Sequence, residues 1–260
     1  WAIINIIQFC PNSFFFFDYN YSYYTSEKIN FNNLIIKRII FNCLSIFQEF
    51  QLFYHINGCY FTNEKKNLEC CDFNTKSLIV PKETEKIKSK AFMYTDLKEI
   101  SFENSSILKK IESNVFESLQ IKEIIIPDSV KIIDDCAFND CKILEKVVIN
   151  KTSQLKRIGK CAFQNTAIKK ILFPSTLVVV DDFAFYQCHE LEIVTNHSNK
   201  IKFGCQSFAH SSIKEIKFPQ KSFFDYSSFK GCLKLKQLVF LDKPKKIIFN
   251  EESFAFSGIE

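Results

Sequence analysis

The sequence predicts a solenoid of eight short coils, each carrying one parallel β-strand and closed by tight turns, with little helix. Three observations predict it. A phenylalanine returns at Phe92, Phe116, Phe138, Phe163, Phe185, Phe208, Phe229 and Phe254, every 21 to 25 residues. Five positions before each stands an aliphatic or aromatic residue: Ile87, Ile111, Ile133, Ile158, Val180, Phe203, Phe224 and Phe249. Soon after each, an L-x-x-I-x-I pattern begins, as in Leu97-Ile100-Phe102, Ile121-Ile124-Ile126 and Leu144-Val147-Ile149. Self-similarity at such a period is the signature of a repeat architecture.

Each element follows from the repeat. A unit of about 23 residues cannot offset an ordering entropy of roughly 1–2 kcal/mol per residue from its own few apolar side chains, so it folds by stacking on its neighbours. The L-x-x-I-x-I segments are the strands, pairing in parallel from coil to coil about 4.8 Å apart, with Leu and Ile inward. The recurrent Phe fills the coil from the other side, and Ala91, Ala137, Ala162 and Ala184 before it leave room for a tight turn. Pro81, Pro127, Pro174 and Pro219 close every other strand, 45 to 47 residues apart, because proline cannot donate to the ladder. Alternate coils instead carry polar loops, Glu103-Asn104-Ser105-Ser106 and Asn150-Lys151-Thr152-Ser153. The structural unit is therefore a pair of unequal coils.

Segments such as IKEIIIPDSVKIIDDCAFNDCKILEKVVI (121–149) and IKKILFPSTLVVVDDFAFYQCHELEIV (168–194) closely resemble the BspA-like leucine-rich repeats, over roughly residues 52–260. The resemblance implies a leucine-rich repeat solenoid. It also implies a non-enzymatic binding scaffold of the surface-antigen type, cell-surface or secreted, engaged in adhesion or in host or matrix recognition. An intracellular protein-interaction scaffold is the alternative. Lys200, Lys221 and Lys246 stand where an apolar residue is expected, and Ile-Gly survives only at Ile158-Gly159; coils with these departures are expected to be looser.

Residues 52–81 are read as a hairpin insert and first strand, with Asn57-Gly58 as a two-residue type I′ turn that shields the edge of the first coil. Residues 1–51 form a different, aromatic-rich segment. Ile36, Ile40, Leu44 and Phe47 fall at helical spacing and suggest a capping helix; alternatively FNCLSIFQEF, with Phe41 and Cys43, is a degenerate repeat. The first 17 residues make a poor membrane helix, since Asn5, Gln8, Pro11, Asn12 and Ser13 interrupt them and about 20 mostly apolar residues are needed to span a bilayer. Repeats fill 82–260, and the chain is expected to be a piece cut within the array, because the next strand would begin at Ile259.

Composition narrows the function classes. The formal net charge is only +5, with lysines and acids interleaved, which fits a solvated face better than a nucleic-acid stripe. Five glycines build no phosphate loop. His55, His189, His197 and His210 show no zinc spacing, and no nucleophile can be placed with a base. We therefore expect no enzyme activity, no cofactor, no metal and no nucleic-acid partner. Of the eleven cysteines, Cys141, Cys188 and Cys232 sit three residues after the recurrent Phe and pack as small hydrophobes. Cys136 and Cys161 share a place in adjacent coils, while Cys59, Cys70 and Cys71 lie in the hairpin with their pairing open.

Function is sought on the exposed face of the strands, where the x positions point outward. There Ile125, Val148 and Leu172 align on three successive coils, rimmed by Lys122, Glu123, Glu145, Lys146, Lys169 and Lys170. An exposed apolar run of this kind is how a site for a protein or glycan partner looks; the competing reading is that these side chains favour strand formation or are covered by a loop. Asn20, Asn104, Asn150 and Asn196 begin N-x-Ser/Thr sequons, the last three every 46 residues, and would place glycans along one edge in a secreted protein.

Overall fold

The computed structural model describes residues 54–259, which belong to the second of two units, Tyr54–Glu260. Asn20 and the 1-51 segment, with both readings of it, lie outside the described residues. Within 54–259 the chain is a β-solenoid. The L-x-x-I-x-I segments form its first parallel sheet: Glu123–Ile125, Lys146–Val148, Lys170–Phe173, Ile193–Asn196, Glu215–Phe218 and Val239–Phe240 are joined in chain order. Ser77–Val80 and Glu99–Phe102 pair with one another ahead of them. Inward Ile124, Val147, Ile171, Val194 and Ile216 are buried and pack with Ile121, Leu144 and Ile168 into one core.

Each coil also holds a second strand. Lys110–Ile111, Ile132–Ile133, Arg157–Ile158, Val179–Val180, Lys200–Phe203, Lys221–Phe224 and Lys246–Phe249 form another parallel sheet. Its inward residues include the apolar positions five before the recurrent Phe. Two-residue strands are too short to show the period-2 alternation by which a strand is recognised in sequence.

The turn at the recurrent Phe is itself a ladder. The Phe138 N–H donates to Ala162 O and the Phe163 N–H to Ala184 O, both at 2.8 Å, and the residues two before and two after bond to the next coil likewise: Cys136 N–H to Lys160 O at 2.8 Å and Asp140 N–H to Gln164 O at 3.0 Å. Those flanking positions are left-handed in every coil. Lys90, Asn114, Cys136, Cys161, Phe183, Gln206, Ser227 and Glu252 before the Phe, and Tyr94, Ser118, Asp140, Asn165, Gln187, His210, Gly231 and Phe256 after it, have φ between 50° and 70°. A non-glycine residue there costs roughly 1–2 kcal/mol, and Gly231 alone among them is glycine. Contacts with neighbouring coils must hold the rest.

Chief among those contacts is the ring stack. Phe92 through Phe254 lie face to face in chain order, centroids 4.9–5.3 Å apart and planes within 16°. Cys141, Cys188 and Cys232 are fully buried beside it. Their thiols donate to the carbonyls of Phe116, Phe163 and Phe208 in the preceding coil, at 2.9, 3.0 and 3.2 Å, so each cysteine supplies both apolar volume and a weak donor. Burial pushes Cys141 up to about 12 and Cys188 and Cys232 up to about 11. They are protonated at neutral pH and poor nucleophiles.

The coils with lysine in the apolar place keep both their second strand and its parallel pairing. In earlier coils Leu108, Val130, Leu155 and Leu177 point inward and the next residue outward; Lys200-Ile201, Lys221-Ser222 and Lys246-Ile247 reverse that order. The reversal gives alternation, exposed then buried, along Lys200–Phe203, and the same order along Lys221–Phe224 with Phe223 half-buried. Strands lengthen from two residues to four, and Phe203, Phe224 and Phe249 make a second ring stack at 5.2 and 5.0 Å. Lysine is accommodated because its position has turned outward.

Glycine is required at two places where the backbone of one coil approaches the next. A Cβ on Gly159 would lie 2.5 Å from Asp135 Oδ1 and 2.7 Å from the Asp134 carbonyl carbon, and one on Gly204, in the equivalent place after Phe203, 2.6 Å from Asp182 N and 2.7 Å from the Asp181 carbonyl carbon. The aspartates use this proximity. Asp135 Oδ1 accepts the Lys160 N–H at 2.9 Å and Asp182 Oδ1 the Cys205 N–H at 2.8 Å. Ahead of the coils, Tyr54–Ile56, Cys59–Thr62 and Asn67–Cys71 form an antiparallel meander whose last strand continues in parallel to Lys86–Ile87. Its first turn has positive φ at both Asn57 and Gly58, as type I′ requires.

Two stability outcomes follow. Phe163→Ala should cost about 3–5 kcal/mol in urea unfolding, whereas Phe254→Ala, at a ring only partly buried, should cost much less; equal losses would contradict stacking between nearest neighbours. Gly159→Ala should cost about 1–3 kcal/mol, the range for overpacking. An unchanged urea midpoint would mean that the two coils can separate freely there.

Candidate binding face

The first sheet presents three outward columns. In the outermost, strand register sets Ile79 beside Ser101, Ile125 beside Val148 and Leu172 beside Thr195, while the pairing of Lys146 with Lys170 carries Val148 next to Leu172. Ile125 is 60% exposed, and Val148 and Leu172 are half-buried. The three residues singled out in the sequence therefore do form one apolar run across three coils. Ile79, 56% exposed, extends the column beyond Ser101, and Ile193, 44% exposed, adds apolar surface in the adjoining one. Ile79 was legible as the x position before Val80; Ile193 stands where neighbouring coils carry Lys or Glu, so the pattern itself pointed away from it.

Charge rims the run in an ordered way. Lys122, Glu123, Glu145, Lys146, Lys169 and Lys170 are all exposed on the same face. Lys146 pairs with Glu123 at 2.9 Å, Lys169 with Glu145 at 2.6 Å and Lys214 with Glu192 at 2.8 Å, each bond joining neighbouring coils. The Lys169 ammonium beside Glu145 holds that carboxyl below its ordinary range, and Lys214 does the same for Glu192. Exposed pairs contribute little to stability. Their effect here is to fix long side chains beside the apolar column, leaving a flat surface with an apolar centre and a charged edge. Among the described residues, no group of three His, Cys, Asp or Glu could hold a metal ion.

The sequons separate into two kinds. Asn104 and Asn150 are exposed in turns that follow first-sheet strands, Asn150 donating to Asp128 Oδ1 at 2.9 Å. Asn196 is a correction. It closes the strand Ile193–Asn196 and is only 5% exposed; its Nδ2 donates to Lys217 O at 3.0 Å, while its Oδ1 accepts the Ser198 N–H at 3.0 Å. A glycan on that nitrogen would break a buried hydrogen bond and open the coil, so the regular 46-residue edge is not available at its third member.

Cysteine pairing in the meander is settled by register. Cys59 and Cys71 are direct cross-strand partners, joined as a disulfide with Cα atoms 4.0 Å apart. Cys70 is a free thiol pushed up to about 12 by burial. Cys136 and Cys161 are also free.

Comparison with known proteins agrees with the repeat geometry. The model of the BspA type leucine-rich repeat region matches residues 62–155 and 144–260, with six copies. A leucine-rich repeat protein from Bacteroides ovatus superposes with a TM-score of 0.60 at 24% identity, over 80% of this chain and 56% of its own. One from Eubacterium ventriosum gives 0.59 at 18% identity, over 80% of this chain and 50% of its own. At these identities the likeness concerns the fold, and the chain spans about half the length of these structures. No curated protein matches. With coils, signature phenylalanines and buried cysteines in place over residues 62–260, this chain belongs to the BspA type leucine-rich repeat family.

Proposed function

We propose that this protein is a non-enzymatic binding scaffold, cell-surface or secreted, that adheres to a protein on a host cell or in a matrix through the outward face of its first sheet. The observation that carries the reading is the in-register run Ile125, Val148 and Leu172, flanked by cross-coil ion pairs. An apolar centre with a charged rim on a flat sheet suits a macromolecular partner: the centre supplies desolvation energy, and the rim sets orientation and encounter rate. An exposed sheet face offers a small molecule little to hold.

Two further features support an extracellular setting. The Cys59–Cys71 disulfide is of the kind that persists in oxidising compartments. Asn104 and Asn150 are exposed acceptors. No helix among the described residues is long and apolar enough to cross a membrane.

Binding and stability should separate at this face. Ile125→Asp should leave the urea midpoint within the equivalent of about 0.5 kcal/mol, as for other surface substitutions, yet remove most of the retention on host cells or immobilised matrix, because it places an unpaired charge in the interface. Retention equal to wild type would exclude this face. Unfolding of the variant is answered by Lys146→Ala at the rim, which should lower the association rate and weaken its salt dependence. For location, an antibody to the repeats should label intact cells, and glycosidase should reduce the mass of native protein by glycans at Asn104 and Asn150, with Asn196 unoccupied. Unlabelled cells together with an unchanged mass would favour the intracellular scaffold.

A further inference from the structure

The second sheet carries its charge differently from the first. Its outward edge holds two runs of lysine on successive coils. Lys109, Lys131 and Lys156 are exposed and tied by backbone bonds, Lys131 N–H to Lys109 O and Lys156 N–H to Lys131 O, both at 2.8 Å. Beyond Val178 in the intervening coil the lysines resume one position earlier in register, Lys200 opposite Lys221 and Lys221 opposite Lys246. Reversal of the apolar order in the last three coils is what turns these three outward.

Among the described residues, none of the six has a carboxylate partner. On the first sheet Lys146, Lys169 and Lys214 each pair with a glutamate of the neighbouring coil. Like charges directly opposite one another on neighbouring strands are destabilising, so this arrangement contributes nothing to the fold and calls for an external anion. Around the second run lies a shallow open depression, bordered by Asn199 and Gln220 as well as Lys200 and Lys221. Its acid, Asp242, is occupied by the Gln220 side-chain amide at 2.9 Å.

We propose that this edge binds a linear acidic polysaccharide, laid along the stack with about one carboxylate- or sulfate-bearing ring facing each coil. The spacing selects the class. Neighbouring parallel strands are about 4.8 Å apart, whereas side chains on one face of an extended acidic peptide recur at about 6.8 Å, twice the rise per residue. Single-stranded nucleic acid is held by a row of aromatic faces, whereas Phe223, on the same strand face as Lys221, is half-buried with the Lys202 ammonium 5.4 Å from its centroid. A sugar ring is about as long as one strand interval, and Asn199 and Gln220 offer amides to its hydroxyls. This site is on a different sheet from the apolar run and does not depend on it.

Heparin oligosaccharides of increasing length are the probe, titrated against the full chain at several salt concentrations. Wild type should bind with an affinity that rises with oligosaccharide length and falls steeply with salt. Either triple variant, K200Q/K221Q/K246Q or K109Q/K131Q/K156Q, should bind at least tenfold more weakly with a salt slope reduced by up to about three, roughly one per lysine, and its thermal midpoint should be unchanged or higher. Lys221→Gln alone should weaken binding measurably and Lys142→Gln, in an exposed turn away from the edge, should not; this pair decides the matter if a triple variant fails to fold. No binding by wild type, undiminished binding by either triple variant, or an equal loss with Lys142→Gln would overturn the proposal. So would oligothymidylate or phosphatidylserine vesicles that compete as well as heparin at equal charge, since they would assign the edge to nucleic acid or to lipid.

Discussion

The constraint on which everything else depends is registration between one coil and the next at the recurrent phenylalanine. Three backbone bonds cross there from each coil to the next between the Phe116 and Phe254 coils, beside a ring stacked on the ring before it. The strand sheets add bonds, but their strands are short, several of only two residues, and two-residue strands cannot hold register alone. The turn ladder can, because its ring has one place to go. That also accounts for the left-handed residues on either side of each Phe. From the Phe116 coil to the Phe229 coil the next coil accepts the N–H that each of these residues presents, which offsets a strain of roughly 1–2 kcal/mol at each non-glycine position, so local backbone geometry there is a product of stacking rather than of residue preference.

Much of this could be read from the chain. The period of the phenylalanines gave the coil count, L-x-x-I-x-I gave the inward phase of the first sheet, and the place of Cys141, Cys188 and Cys232 relative to Phe marked them as core. What could not be read has physical causes. Strands such as Arg157–Ile158 are too short to alternate. Left-handed positions occupied by Lys90, Phe183 or Gln206 carry no glycine to announce them. Asn196, by contrast, was legible: Leu191-Val194-Asn196 puts it at the inward third position of the pattern, where Phe102 and Ile149 stand in the coils of Asn104 and Asn150. For the binding face, sequence supplied the run of three and missed Ile79 and Ile193, because one stands before the first recurrent Phe and the other occupies a position charged in most of its neighbours.

The two sheets treat lysine in opposite ways on one scaffold. On the first, ammonium and carboxylate alternate from coil to coil and hold each other in place around an apolar centre. On the second, Lys110 and Lys202 pair with Asp134 and Asp225, while the lysines at the outer edge face one another without a carboxylate partner among the described residues. Both arrangements are compatible with the same backbone, since outward positions answer to solvent and inward ones to the core. A repeat fold can therefore vary its surface from coil to coil at little cost to stability, provided that ring, inward aliphatics and turn are kept.

Asp134-Asp135 packs on Gly159, and Asp181-Asp182 on Gly204, so an acidic coil is followed by a glycine coil. Loss of one coil from the middle of the array would set two acidic turns against each other, or leave a glycine with no aspartate to cap the residue after it. Loss of two adjacent coils would restore the fit. Unequal recombination within such a gene should therefore yield folded products chiefly when it adds or removes coils in twos, and relatives of this chain should differ in length by whole pairs.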